Sequence, residues 1–148
     1  MKKILAFIKN KDNKLLLLKG NSTDPQFHKS FWYTVTGGVE NIDKTYIDTV
    51  KREVKEETNL EVDNVVYLNW VLKYASLGNE CEEYVFICED NGKMDVCLNE
   101  ESIDYKWCEL DLYVEKIKWY SDKCVLKELL KQALHNNQYF NEEQIINL

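Results

Sequence analysis

The sequence predicts a single α+β domain over residues 1–148, with a mixed β-sheet sandwiched between α-helices. Three observations carry that expectation. The first third of the chain alternates short apolar or aromatic runs with polar turns, as strands do. One central segment and one near the end repeat apolar residues at helical spacing. Between them lie further strand-like runs, and no repeat, linker or shift in composition marks a second domain.

Ile4–Lys9 and Leu15–Lys19 flank the polar turn Asn10-Lys11-Asp12-Asn13 and read as a hairpin. Residues 20–30 form a polar loop holding the sole proline, Pro25. Phe31-Trp32-Tyr33-Thr34-Val35-Thr36 is aromatic and β-branched, hence a strand. It ends at Gly37-Gly38, which suits a sharp turn or a close approach. A helix follows from about Lys44 to Thr58, with Asp43 as N-cap and Ile47, Val50 and Val54 as its apolar stripe. Asn59 can close it in the left-handed conformation. Strands are then expected at Leu60–Tyr74 (broken near Asp63-Asn64), at Glu83–Cys88, after the Asn91-Gly92 turn, and at Tyr105–Cys108. Ser121 caps a second helix carrying Val125, Leu126, Leu129, Leu130 and Leu134, and Asn141-x-x-Gln144 opens a short final one.

The formal net charge is −7, from 26 acidic and 19 basic residues. No excess of Lys or Arg is available to neutralise a polyanion, so nucleic acid and anionic membranes are poor partners. A small phosphorylated ligand stays possible if divalent cations offset the charge. No apolar stretch reaches the roughly 18 residues of a membrane span, and the start lacks the apolar core and cleavage site of a signal peptide. Cys81, Cys88, Cys97, Cys108 and Cys124 show no C-x-x-C spacing, and His28 and His135 are remote from them in sequence. Reduced thiols in a cytoplasmic protein are the expectation.

Chemistry concentrates in Arg52-Glu53-Val54-Lys55-Glu56-Glu57. On a helix, Glu53, Glu56 and Glu57 stand at i, i+3 and i+4, so three carboxylates share the face beside the apolar stripe. Like charges at those spacings cost a helix about 0.2–0.5 kcal/mol per pair, and the C-terminal end of the dipole repels anions as well. Glutamate-rich faces are nonetheless common as solvated surface. Clustered carboxylates on a rigid element also suit Mg²⁺, a hard cation that takes oxygen ligands and leaves room for phosphates.

Gly38, Arg52, Glu53, Val54, Glu56, Glu57 and Leu60 resemble the Nudix box, G-x5-E-x7-R-E-U-x-E-E-x-G-U, where U is a bulky apolar residue. Asn59 replaces its last glycine and Lys44 its first glutamate, although Glu40 lies nearby. The resemblance implies the Nudix fold and a hydrolase acting on a phosphorus-containing anhydride, with Mg²⁺ as cofactor and Mn²⁺ as its substitute. Metal ligation is implied for Glu53, Glu56 and Glu57, with a carbonyl from Gly37 or Gly38. Arg52 would orient the carboxylates. One of the box glutamates, or Glu101 from a later loop, would be the general base, with Glu100 a near alternative.

The run Phe31-Trp32-Tyr33-Thr34-Val35-Thr36-Gly37-Gly38-Val39-Glu40 further resembles the bacterial dihydroneopterin triphosphate diphosphatases, as do Tyr105-Lys106-Trp107 and Lys118-Trp119-Tyr120-Ser121. A pterin or nucleoside triphosphate is the implied substrate. Lys19 and Lys29 are candidate phosphate partners, and Trp32, Tyr33 and Trp70 candidate ring partners, against the plainer reading of strand aromatics as core. Oxidised-nucleotide sanitising, dinucleoside polyphosphate hydrolysis and a non-catalytic nucleotide sensor are the alternatives. A monomer or a homodimer is compatible with all of them.

Overall fold

The computed structural model describes residues 1–21 and 30–135; Pro25, His28, Lys29 and the helix expected at Asn141–Gln144 lie outside them. Among the described residues the elements run β1 (Lys2–Lys9), β2 (Leu15–Gly20), β3 (Trp32–Tyr33), β4 (Val35–Gly38), α1 (Tyr46–Thr58), β5 (Val62–Ser76), β6 (Asn79–Asp90), β7 (Ser102–Cys108), α2 (Leu110–Lys116) and α3 (Lys123–His135).

The strands form one mixed sheet, ordered β3-β2-β1-β6-β5, with β4 also on β1 and β7 also on β2. β1 is its centre. It runs parallel to β6 and antiparallel to β4, and Ile4 through Ile8 are all buried, as a strand covered on both faces requires. On one face, Ile4, Ala6 and Ile8 pack with Tyr46, Val50 and Val54 of α1. On the other, Leu5 and Phe7 pack with Tyr113 and Ile117, from α2 and its end, and with Leu126 and Leu130 of α3. The helices sandwich the sheet as expected.

Several boundaries differ from the sequence expectation, each for a physical reason. The β1–β2 hairpin is paired only at Lys9↔Leu15, and β2 then diverges to pair with β7 and β3. The Phe31–Thr36 strand divides at Thr34, whose hydroxyl bonds the Ala6 carbonyl at 2.5 Å. β5 is not interrupted at Asp63-Asn64: left-handed residues at Asn64 and Asn69 absorb register shifts while pairing with β6 continues. No strand lies between the Asn91-Gly92 turn and β7 among the described residues, and the short α2 was not foreseen. Asp122, rather than Ser121, caps α3, accepting from the Cys124 N–H at 2.8 Å.

The cap of α1 also moves. Thr45 accepts from the Asp48 N–H at 3.2 Å while Asp48 accepts from the Thr45 N–H at 3.1 Å, a reciprocal capping box. At the other end Asn59 takes φ 68°, the left-handed stop expected of it. Thr45→Ala is expected to cost about 1 kcal/mol in urea unfolding, and a loss below about 0.3 kcal/mol would show that α1 does not depend on this cap.

Candidate active site

α1 sits where its C-terminal half meets the end of β4. Gly37 makes that approach possible, because a Cβ there would overlap the Glu53 carboxyl group, whereas one on Gly38 would meet open space. The first glycine is therefore required by side-chain packing rather than by a special backbone angle.

Arg52 ties the region together. Its Nε donates to Asp43 Oδ1 at 3.0 Å and Nη2 to Asp43 Oδ2 at 2.7 Å, a two-pronged grip on a buried carboxylate. Nη2 also donates to the Gly38 carbonyl at 2.9 Å. Nη1 donates to Glu53 Oε1 at 2.9 Å and, more weakly, reaches Glu56 at 3.4 Å and Glu40 at 3.6 Å. Asp43 further accepts from the Thr49 hydroxyl and the Glu40 N–H, both at 2.9 Å. The carboxylate absent at Lys44 is thus supplied one residue earlier. Asp43 is held near pKa 2, chiefly by the Arg52 hydrogen bonds, and Arg52 is pushed above its ordinary value in return.

The glutamates occupy unequal environments. Glu57 is buried, and its Oε2 has no hydrogen-bond partner among the described residues. Burial raises its carboxyl well above the ordinary range, reinforced by the charges of Glu101 and Glu53. Glu53 is raised as well, by burial first, against the stabilising pull of Arg52. Glu56 is exposed and leans toward Arg52. Among the described residues no three His, Cys, Asp or Glu side chains gather closely enough to enclose a metal ion. The pair that adjoins is Glu53 and Glu57. Glu101 faces both from a loop pinned by Asn21, whose N–H donates to the Glu101 carbonyl at 2.9 Å.

The donor set is nevertheless of the kind a hard divalent cation takes. It is all oxygen, it holds more negative charge than Arg52 offsets, and Glu57 Oε2 is a buried acceptor without a donor. The Gly38 carbonyl is already engaged by Arg52.

A cleft of about 940 Å³ opens beside these groups. Gly37, Gly38, Glu57 and Glu101 line it, and so does Tyr33. Lys19 and Trp32 do not. They lie against each other, Lys19 Nζ 5.9 Å from the Trp32 ring centre. Trp70 packs on Trp119 at 5.7 Å, in the second core. Glu100 is not among the lining residues.

The cleft also contains groups that the sequence reading passed over: Lys3, Tyr74 and Glu83, beside Trp119. Glu83 carried a usable signal. It sits in phase with Val85 and Ile87, which face the core, so an acid occupies an inward position of a strand. Asp43 had no such signal, because an N-cap and an arginine partner call for the same residue type.

A family model described as the NUDIX domain matches residues 1–129. Nudix hydrolase 5 of Arabidopsis thaliana is 26% identical over 113 residues, 75% of this chain, while the chain spans 37% of that protein's length. The E. coli dihydroneopterin triphosphate pyrophosphohydrolase superposes with a TM-score of 0.68 at 20% identity, covering 88% of this chain and 95% of that one. A C. elegans Ap4A hydrolase in a binary complex gives 0.66 at 22% identity, covering 89% and 93%. These last two likenesses establish the fold.

Asp43→Asn tests the tie directly. A carboxylate with a lowered folded pKa contributes stability above its unfolded pKa and loses it as pH falls through the folded one. The variant should lose about 2–3 kcal/mol at pH 7, and the deficit should shrink between about pH 4 and pH 2. An equal deficit throughout that range in urea unfolding would refute an electrostatic role for Asp43.

Proposed function

The chain belongs to the Nudix domain family, and we propose that it is a hydrolase that cuts a diphosphate linkage in a nucleoside or pterin triphosphate, using Mg²⁺ or Mn²⁺. One observation carries this reading. Glu57 holds a buried, unpartnered carboxylate oxygen beside Glu53 and opposite Glu101, on the wall of a cleft large enough for a nucleotide. A fold that buries a carboxyl oxygen with no donor, beside two further acids, leaves it for a ligand to complete.

Glu53 and Glu57 would hold the cation, with Glu56 completing the set from the exposed side of the same helix turn. When bound, the ion neutralises charge on the phosphates and makes a water more acidic. Arg52 fixes Glu53 and sets its acceptor direction, while Asp43 keeps Arg52 from being drawn away. Glu101 accepts the proton of the attacking water. The oxygen of that water bonds to phosphorus, the bridging P–O bond breaks, and its electron pair leaves with the departing phosphate. Lys3 lies opposite Gly38 in the sheet register and lines the cleft; its ammonium sits 3.9 Å from Glu83 and would have to turn toward the glycines to meet phosphate.

The aromatic wall formed by Tyr33, Tyr74 and Trp119 favours a substrate with a flat ring, which supports a nucleoside or pterin triphosphate over a simple polyphosphate. The unpaired cysteines suit a reducing compartment, so the same reading puts the enzyme in the cytoplasm.

Phosphate or pyrophosphate release, measured across nucleoside and pterin triphosphates with Mg²⁺, tests the proposal. Turnover is expected with the metal and none in EDTA. Glu57→Gln, which removes the charge at constant shape, should lower kcat by at least about a hundredfold and abolish any Mg²⁺-dependent rise in Tm. Turnover that survives both EDTA and Glu57→Gln would refute the assignment. Binding without turnover of any diphosphate would favour the sensor.

A further inference from the structure

We propose that Glu83 reads the substrate's ring, accepting hydrogen bonds from adjacent N–H groups on a 2-amino-4-oxopyrimidine edge, the edge that guanine and pterins share. This deepens the reading above and rests on it for the class of substrate.

The position follows from strand pairing. Lys3 of β1 lies opposite Gly38 of β4 on one side and Glu83 of β6 on the other. Gly38, Lys3 and Glu83 therefore form a row across three adjacent strands, and the backbone of Glu83 lies two strand spacings, about 10 Å, from the glycine turn. Both ends of that row line the same cleft. A ligand with its phosphates at the turn would extend its ring along the row toward Glu83.

The chemistry of Glu83 is unusual for a structural residue. It is 3% exposed, on a strand whose next inward residues are Val85 and Ile87. Its partners, the Tyr74 hydroxyl at 2.6 Å and Lys3 Nζ at 3.9 Å, both engage Oε2. Oε1 receives no hydrogen bond from the described residues. A buried ion pair seldom stabilises a fold more than apolar residues of equal volume would, so stability alone does not account for this acid. An open acceptor in an aromatic pocket selects a ring that presents N–H donors. It disfavours adenine, which places an acceptor nitrogen beside its amino group. Tyr33, Tyr74 and Trp119 supply apolar surface around it.

The test compares kcat/KM for GTP, dihydroneopterin triphosphate, ITP and ATP in the wild-type protein and in Glu83→Gln. The first two carry the full edge, and the better of them identifies its source. ITP lacks the amino group, and ATP reverses the pattern. Wild type should prefer GTP or the pterin over ITP and ATP by about ten- to a hundredfold, expressed mainly in KM. The variant should bring the four within about threefold of one another. Turnover without that preference in wild type, or a preference retained in Glu83→Gln, overturns the role of Glu83 and leaves the hydrolase reading standing; the wild-type series decides even if the variant fails to fold. If no triphosphate is turned over, the hydrolase reading fails separately. Quenching of tryptophan fluorescence by guanosine and neopterin, against inosine and adenosine, then decides the ring site. Selective quenching that Glu83→Gln abolishes supports it, and equal or absent quenching overturns it.

Discussion

Five groups converge on one guanidinium. Arg52 holds Asp43 through two nitrogens and reaches the Gly38 carbonyl, Glu53, Glu56 and Glu40 with what remains. A planar, permanently charged fork can satisfy acceptors in several directions at once, which an ammonium cannot do with the same geometry. Because Asp43 precedes the helix, Gly38 ends a strand and Glu53 lies within α1, one side chain sets the relative position of turn, strand and helix. The glutamates repel one another, and this cation keeps that repulsion from spreading the site apart.

The two sheet faces are closed to different extents. α1 covers one face near the glycine turn, and α2 with α3 covers part of the other. The uncovered end of the second face becomes the cleft, lined by Tyr33 and Trp119 where packing ends and by Glu83 where a charge replaces the apolar pattern. On the proposed reading, phosphate chemistry and ring recognition would share one cavity, because neighbouring strands carry Gly38 and Glu83 in register with Lys3. The acidic net charge is consistent with this division, since on that reading a cation rather than a basic surface would meet the phosphates.

Local chemistry made much of this visible in the sequence. The apolar stripe and the acidic face of α1 follow from 3.6-residue spacing, and Asn59 announced its left-handed stop. The apolar run of β1 marked a strand, while its central place in the sheet, parallel to the distant β6, was not read from it. What escaped was set by distant contacts. Asp43 reads as a cap until the fold brings Arg52 to it. Trp32 lies near the glycine turn in sequence, yet it pairs with Lys19 of the neighbouring strand outside the cleft, since the open end of the sheet depends on where α2 and α3 pack. α2 follows Glu109, an N-cap residue whose side chain makes no cap, so nothing local marked it. Glu83 was legible but unread, an acid in the inward phase of a strand.

On the proposed reading, the Arg52 fork assembles a cation site from repelling carboxylates. Titration calorimetry of Mn²⁺ into the wild-type protein and Arg52→Lys measures this most directly, because the variant keeps the charge and loses the fork. Binding to wild type that is weakened at least about tenfold in the variant, with the far-ultraviolet circular dichroism unchanged, is the result predicted. Equal Mn²⁺ affinity in the two proteins would contradict it.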